Sequence, residues 1–256
     1  MTAFSYHALQ ESIEGLDCVL VVPRTADGEI VPPRAMAVFC HGYGASGQDL
    51  VGLAHEILPA VPADAPVALV YPEAPIDLTD AGLPGGRAWW QLSIQSLLTA
   101  MEEGQFEQIR MQEPEEIDAA RNQVVAAIEI LMERFKLGAS TLLLGGFSQG
   151  AMLSVDVASR GLSEPPAALA LYSGALICEK HWKKSAGRLN ATQIVQSHGS
   201  LDPILPLQTG KWLREMLEES GCTVQFIEFA GPHTIPPAAV EQSCVLLNKL
   251  VDHNSQ

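Results

Sequence analysis

The 256-residue chain is 47% hydrophobic and 18% charged, enough for one well-filled globular domain, 1–256, with no Ser/Gly or Pro linker dividing it. Its formal charge of −15, with no compact Lys/Arg stripe to offset it, disfavours nucleic acid and anionic lipid surfaces as partners. The N-terminus has no basic region followed by an apolar core, and no window approaches the roughly 18 apolar residues of a membrane span, so a cytoplasmic protein without stable membrane insertion is expected.

Strand-like apolar runs follow one another at DCVLVV, AMAVFC, APVALVYP, STLLLG, AALALYSG, TQIVQSHG and TVQFIEF, and helical patterns fill most of the intervals. That alternation predicts an α/β protein with a mainly parallel sheet covered by helices on both faces. Helical periodicity is firmest over 116–135, 149–160, 206–219 and 237–251. The interval from Pro75 to Pro114 is abnormally long, since such connections usually take about 2 to 6 residues. Within it Trp90, Ile94, Leu97, Leu98 and Met101 recur at helical spacing. This predicts a lid-like insertion around residues 76–114 whose apolar face either completes the core or walls a pocket. Two charged stretches read as solvated surface: KHWKK at 180–184 as a turn, and the acidic stretch from Glu102 to Asp118 as a helical face. Five cysteines, odd in number, spread out and without C-x-x-C, predict buried free thiols and give neither a disulfide framework nor a zinc site.

The stretch HGYGASG, residues 41–47, spells G-x-G-x-x-G through Gly42, Gly44 and Gly47, between a strand-like run and the helical run QDLVGLAHEIL. A dinucleotide site would want an acidic residue about 20 residues further on, and only Glu73 offers itself, late and followed by Ala-Pro. The same loop could instead present backbone N–H groups to an oxyanion, provided a serine nucleophile follows.

That serine is in GFSQG, residues 146–150, between the strand STLLLG and the helical run AMLSVDVASR. In G-x-S-x-G, Gly146 and Gly150 leave room for a tight turn that holds Ser148 in a strained conformation with its hydroxyl presented. A serine hydroxyl needs a base, usually histidine, and that histidine needs a carboxylate. In the order Ser, Asp, His, the sequence places Asp202 in SHGSLDP after one strand and His233 in AGPHTIPP after the next. Both fall at strand C-terminal ends, where open α/β sheets assemble their sites. The oxyanion donors are then the amides of Tyr43 and Gln149.

Other titratable residues fit less well. His198 reads as a structural imidazole bonded to backbone, and His41 as shaping the glycine turn. His181 falls in the polar turn, His7 and His253 lie near the termini, and His55 sits on the helix after the glycine loop. Asp156 is inside the helix after Ser148, while Glu73 and Asp77 precede the serine.

At this point the sequence resembles the phospholipase/carboxylesterase branch of the α/β-hydrolases, which includes acyl-protein thioesterases. The resemblance rests on HGYGASG (41–47), YPEAP (71–75), RAWW (87–90), GFSQG (146–150), HGSLDPILPL (198–207) and HTIP (233–236), in the family's order along almost the whole chain. It implies Ser148, Asp202 and His233 as triad, the Tyr43 and Gln149 amides as oxyanion hole, and neither cofactor nor metal. It also puts the aromatic pair Trp89 and Trp90 near the acyl site, and with Ile94 from the same apolar interval they make up the expected substrate pocket. The chain departs from the family pattern at Ser200, where a second acid is common, at Gln91, where Asp follows the aromatic pair, and at Ala151, where another Gly stands. The segment after Trp90 is longer and more acidic than in short members.

The leading expectation is a serine hydrolase acting on carboxylic esters, with thioesters and lysophospholipids within reach. Its partner is a small-molecule or lipid-like acyl ester, and its oligomeric state stays open, a homodimer included. The rival is a catalytically silent α/β-hydrolase used as a binding module, since fold does not guarantee activity.

Overall fold

The computed structural model describes residues 3–92 and 107–253. In chain order its strands are β1 (Ser5–Ile13), β2 (Leu16–Arg24), β3 (Ala35–Cys40), β4 (Val67–Pro72), β5 (Ile76–Asp77), β6 (Arg87–Ala88), β7 (Leu142–Phe147), β8 (Ala168–Tyr172), β9 (Gln193–Gly199) and β10 (Val224–Phe229). The helices are α1 (Ala54–Ile57), α2 (Glu107–Arg110), α3 (Ile117–Phe135), α4 (Gln149–Asp156), α5 (Glu179–Ser185), α6 (Leu207–Glu219) and α7 (Pro237–His253).

Eight strands form one sheet in the order β1-β2-β4-β3-β7-β8-β9-β10. From β4 to β10 every neighbouring pair is parallel, whereas β1 and β2 add to that edge antiparallel. The central strands β3, β4 and β8 are buried along their whole length, which is why they read as continuous apolar runs instead of alternating ones. Alternation is present nonetheless, between two cores. Met36, Val38, Leu142, Leu144, Leu169 and Leu171 face one side, with Val124, Ile128 and Leu131 of α3 packed over them. Ala37, Phe39, Leu143, Ala170 and Tyr172 face the other, covered by Ile57, Val240 and Leu247.

The seven apolar runs are all strands of this sheet, whereas its eighth strand, β1, shows no such run. Its nine residues are mostly half-exposed or exposed on the sheet edge, so they carry little apolar signal. It reaches β2 through Glu14 and Gly15, both at positive φ (50° and 80°), the requirement of a two-residue hairpin turn. The expected helix over 149–160 stops at Asp156 and continues as a π turn, Val157–Gly161.

The KHWKK turn is a correction: these residues lie in α5, and Trp182 at its centre is fully buried. Four polar neighbours hid one large core side chain. Within the interval 76–114, β5 pairs with β6 as a short hairpin that folds against the glycine loop. The helical spacing through Ile94, Leu97, Leu98 and Met101, and the lid-like character drawn from it, fall outside the described residues. Among the described residues no helix is long and apolar enough to cross a membrane, and all five cysteines are free and buried.

Candidate active site

The C-terminal ends of the central strands deliver the site. After β7 the chain turns abruptly into α4, and Ser148 takes the turn at φ 56° and ψ −117°. Two glycines make that turn sterically possible. A Cβ on Gly146 would fall 2.4 Å from the Cys40 carbonyl oxygen, and one on Gly150 only 2.0 Å from it, so any side chain would push β3 and α4 apart. The Ser148 amide donates to the Tyr172 carbonyl at 2.9 Å, tying the turn to β8. Strain is thus held by neighbours on both sides.

Asp202 follows β9 in a tight loop. Its Oδ1 accepts the amides of Ile204 at 2.8 Å and Leu205 at 2.9 Å, and its Oδ2 accepts Nδ1–H of His233 at 2.6 Å. Burial would raise the carboxyl pKa, but the hydrogen bonds from His233, Leu205 and Ile204 outweigh it and the net shift is downward. His233, in the loop after β10, packs its ring against Phe147 with centroids 4.7 Å apart, beside Ser148. Among the described residues the Ser148 hydroxyl makes no hydrogen bond to His233; such contacts commonly tighten only when substrate arrives. His198 is completely buried, its Nε2–H donating to the Leu205 carbonyl at 2.8 Å and lying 3.5 Å from Asp202 Oδ2.

The glycine loop is pinned by its neighbours in space. Gly44 and Arg87 exchange backbone bonds with the opposite segment, N–H of Gly44 to the Arg87 carbonyl at 2.9 Å and N–H of Arg87 to the Ala45 carbonyl at 2.8 Å. The Gly47 amide donates to Glu73 Oε1 at 3.1 Å. His41 accepts the Ala74 amide on Nε2 at 3.0 Å and therefore donates Nδ1–H to the Gly42 carbonyl at 2.8 Å. Both ring nitrogens are committed, and burial lowers its pKa, so this imidazole stays neutral and structural. Among the described residues the amides of Tyr43 and Gln149 donate to no protein acceptor. The Gln149 amide also opens α4, where the helix dipole favours negative charge.

Trp89 and Trp90 divide. The Trp89 side chain, fully buried, donates its indole N–H to the His41 carbonyl at 2.9 Å and supports the glycine loop from below. Trp90 borders a cavity of about 300 Å³, together with Leu92, Ile109, Met152, Ile177 and Leu205. Three of these walls are bonded to the residues just described. The Met152 amide donates to the Ser148 carbonyl, the Leu205 amide to the Asp202 carboxylate, and the Trp90 carbonyl accepts from the Gln149 side chain. Ile94 lies outside the described residues.

The sequence does not disclose the side-chain work of Gln149, which bridges Trp89 and Trp90 at 2.9 Å on each side, nor the cavity walls Met152, Ile177 and Leu205. Only Leu205 leaves a trace, because Asp-Pro-x-Leu is a turn in which the Asp side chain caps amides two and three residues on. Asp156, set aside from the sequence, is wholly buried and takes hydrogen bonds from Trp182 Nε1 (2.8 Å), Arg160 (2.8 Å) and Arg121 (3.0 Å), a structural ion cluster at the far end of α4. His181 pairs with Glu113 at 3.2 Å.

A parallel sheet with an antiparallel edge, and a serine at the strand-to-helix turn, is the architecture of the α/β-hydrolases. The family model described as phospholipase/carboxylesterase matches residues 27–250, so the chain belongs to the phospholipase/carboxylesterase family and is by class a carboxylic ester hydrolase. It is similar to acyl-protein thioesterase 1 homolog 1 of Dictyostelium discoideum, 27% identical over 226 residues that cover 86% of this chain and 92% of that protein. Among solved structures it resembles esterase PE8 (TM-score 0.69, 22% identity, 96% of this chain and 99% of that one). A carboxylesterase from Mesorhizobium loti is similar in fold (TM-score 0.69, 18% identity, 94% and 98%). So is acyl-protein thioesterase 2 of Zea mays (TM-score 0.60, 20% identity, 86% and 95%).

Proposed function

We propose that the chain is a single-domain serine hydrolase that cleaves carboxylic esters, with thioesters and lysophospholipids in its chemical range, through an acyl-Ser148 intermediate. His233 Nε2 takes the Ser148 proton as Oγ attacks the substrate carbonyl carbon, and Asp202 stabilises the imidazolium so formed. The tetrahedral oxyanion sits on the amides of Tyr43 and Gln149. Collapse expels the alcohol or thiol, which receives the proton from His233. Water then repeats the sequence on the acyl-enzyme and releases the acid. The acyl chain lies in the apolar cavity bounded by Trp90, Met152 and Leu205. The free, buried thiols fit a reducing, cytoplasmic setting.

The observation that carries this reading is the 2.6 Å bond between His233 and Asp202, beside a serine held at φ 56°. Fluorophosphonate labelling of the parent beside Ser148→Ala tests it. Labelling and ester hydrolysis in the parent, both abolished in a folded alanine variant, are expected; undiminished labelling of that variant would overturn the assignment.

A further inference from the structure

A charged cluster lies behind one wall of the apolar cavity. Ile109, Gln112, Glu113 and Pro114 supply one side of the cavity. They lie in and just after the helix Glu107–Arg110. The helix there, α2, has four residues, and a single turn has no stability of its own. Its position must come from contacts made elsewhere.

Those contacts converge on α5. Arg110, the neighbour of Ile109, points away from the cavity and grips Glu179 with two hydrogen bonds, Nε to Oε2 at 2.7 Å and Nη2 to Oε1. Its guanidinium also lies 5.0 Å from the centroid of the Trp212 ring on α6. Lys183 reaches the same carboxylate at 2.9 Å, and the bond from Arg110 above all holds the Glu179 pKa down, at about 2. Two further links run in parallel. The Cys178 amide donates to the Gln112 carbonyl at 2.9 Å, and His181 Nε2 lies 3.2 Å from Glu113 Oε1. An isolated surface ion pair contributes little, but a bidentate pair with side chains only 24% and 12% exposed, stacked on an indole, is of the stronger kind.

We propose that Arg110, acting through Glu179 and Trp212, is a positioning residue that determines acyl-chain specificity by fixing Ile109 in the cavity wall. The inference rests on the cavity being the acyl site of the proposed hydrolase. Arg110 touches no reacting atom, so its loss leaves the chemistry on a short acyl group in place. A wall free to retreat loses contact with a chain long enough to reach it.

The test measures kcat/KM of the full chain on p-nitrophenyl acetate, butyrate, hexanoate and octanoate, for the parent, Arg110→Met, Glu179→Gln and the double variant, each checked for folding by melting temperature. Acetate hydrolysis and fluorophosphonate labelling are expected to stay within about two-fold of the parent. The octanoate-to-acetate ratio is expected to fall by about 4- to 15-fold, the worth of one to two methylenes of lost contact. Both single variants should fall alike and the double variant no further, because the two residues form one interaction. An unchanged ratio in the folded single variants overturns the proposal, as does a shift confined to one of them. Glu179→Gln keeps the shape of the side chain and decides the matter if Arg110→Met does not fold. A parent that neither labels nor hydrolyses any ester overturns the Ser148 assignment itself, a separate failure that takes this inference with it.

Discussion

The Trp89 amide donates to the side-chain oxygen of Gln149 across 2.9 Å, joining the segment that supports the glycine loop to the residue after Ser148. The same side chain donates to the Trp90 carbonyl, and all three residues are buried. Gln149 and the glycine loop at 41–47, distant in sequence, are thereby tied together through the Trp89–Trp90 segment.

Gln149→Met keeps the volume and removes both bonds. It leaves the Trp89 N–H and the Trp90 carbonyl buried without partners, at about 1–3 kcal/mol each. A loss of about 2–6 kcal/mol in urea unfolding is expected, together with a fall in kcat that exceeds any change in KM. A variant as stable as the parent would show that the bridge is incidental.

Asp202→Asn should lower kcat by several orders of magnitude while leaving the fold intact, about 10⁴ if the serine-protease example transfers. Asp156→Ala should do the reverse. It strips three hydrogen bonds from one buried cluster, leaving the Trp182 indole without its acceptor and Arg121 and Arg160 with Asp118 as their remaining carboxylate, costing about 3–5 kcal/mol of stability, with activity retained at low temperature. Kinetics and denaturant melts of the two variants side by side check the division, and near-normal turnover in Asp202→Asn would move the search for the acid elsewhere.

The two tryptophans should separate in the same way. Trp90→Ala opens the cavity wall, so a changed preference among acyl chain lengths is expected on top of a stability loss of about 3–5 kcal/mol. Trp89→Phe keeps the ring packing but leaves the His41 carbonyl without its donor, so lower kcat with an unchanged chain-length profile is expected. A profile that moves with Trp89→Phe and stays put with Trp90→Ala would reverse these roles.

Acid stability follows from two neutral histidines. Burial lowers the pKa of both His41 and His198 below the unfolded value of about 6.5. Between the folded and unfolded values the unfolded chain binds more protons, so stability is full above about pH 6.5 and falls as pH drops below it. The slope is at most about 1.4 kcal/mol per pH unit for each histidine. Asp202, its pKa lowered by the hydrogen bonds it accepts, keeps its contribution until pH falls below about 3.9. Urea melts at pH 7.5, 6.5 and 5.5 check this: His198→Gln should flatten the slope, and an equal slope in parent and variant would exclude His198 as a source.

What the sequence by itself determined was whatever depends on near neighbours. Glycines flanking Ser148 announce a turn that no other residue permits, and the parallel sheet is legible because strands buried on both faces must be apolar throughout. Asp202 and His233 could be named because strand ends on a parallel sheet converge on one edge. Only the tertiary structure decided matters that join distant segments. The edge strand β1 is half-exposed and so carries little apolar signal. Trp182 sits among four charged or polar neighbours, and its burial depends on Asp156, 26 residues earlier, reaching its indole. The bridge from Gln149 to Trp89 spans 60 residues and the grip of Arg110 on Glu179 spans 69. Periodicity reports which face of an element is buried, but which polar side chain meets which partner is set by packing across the fold, where sequence distance has no meaning.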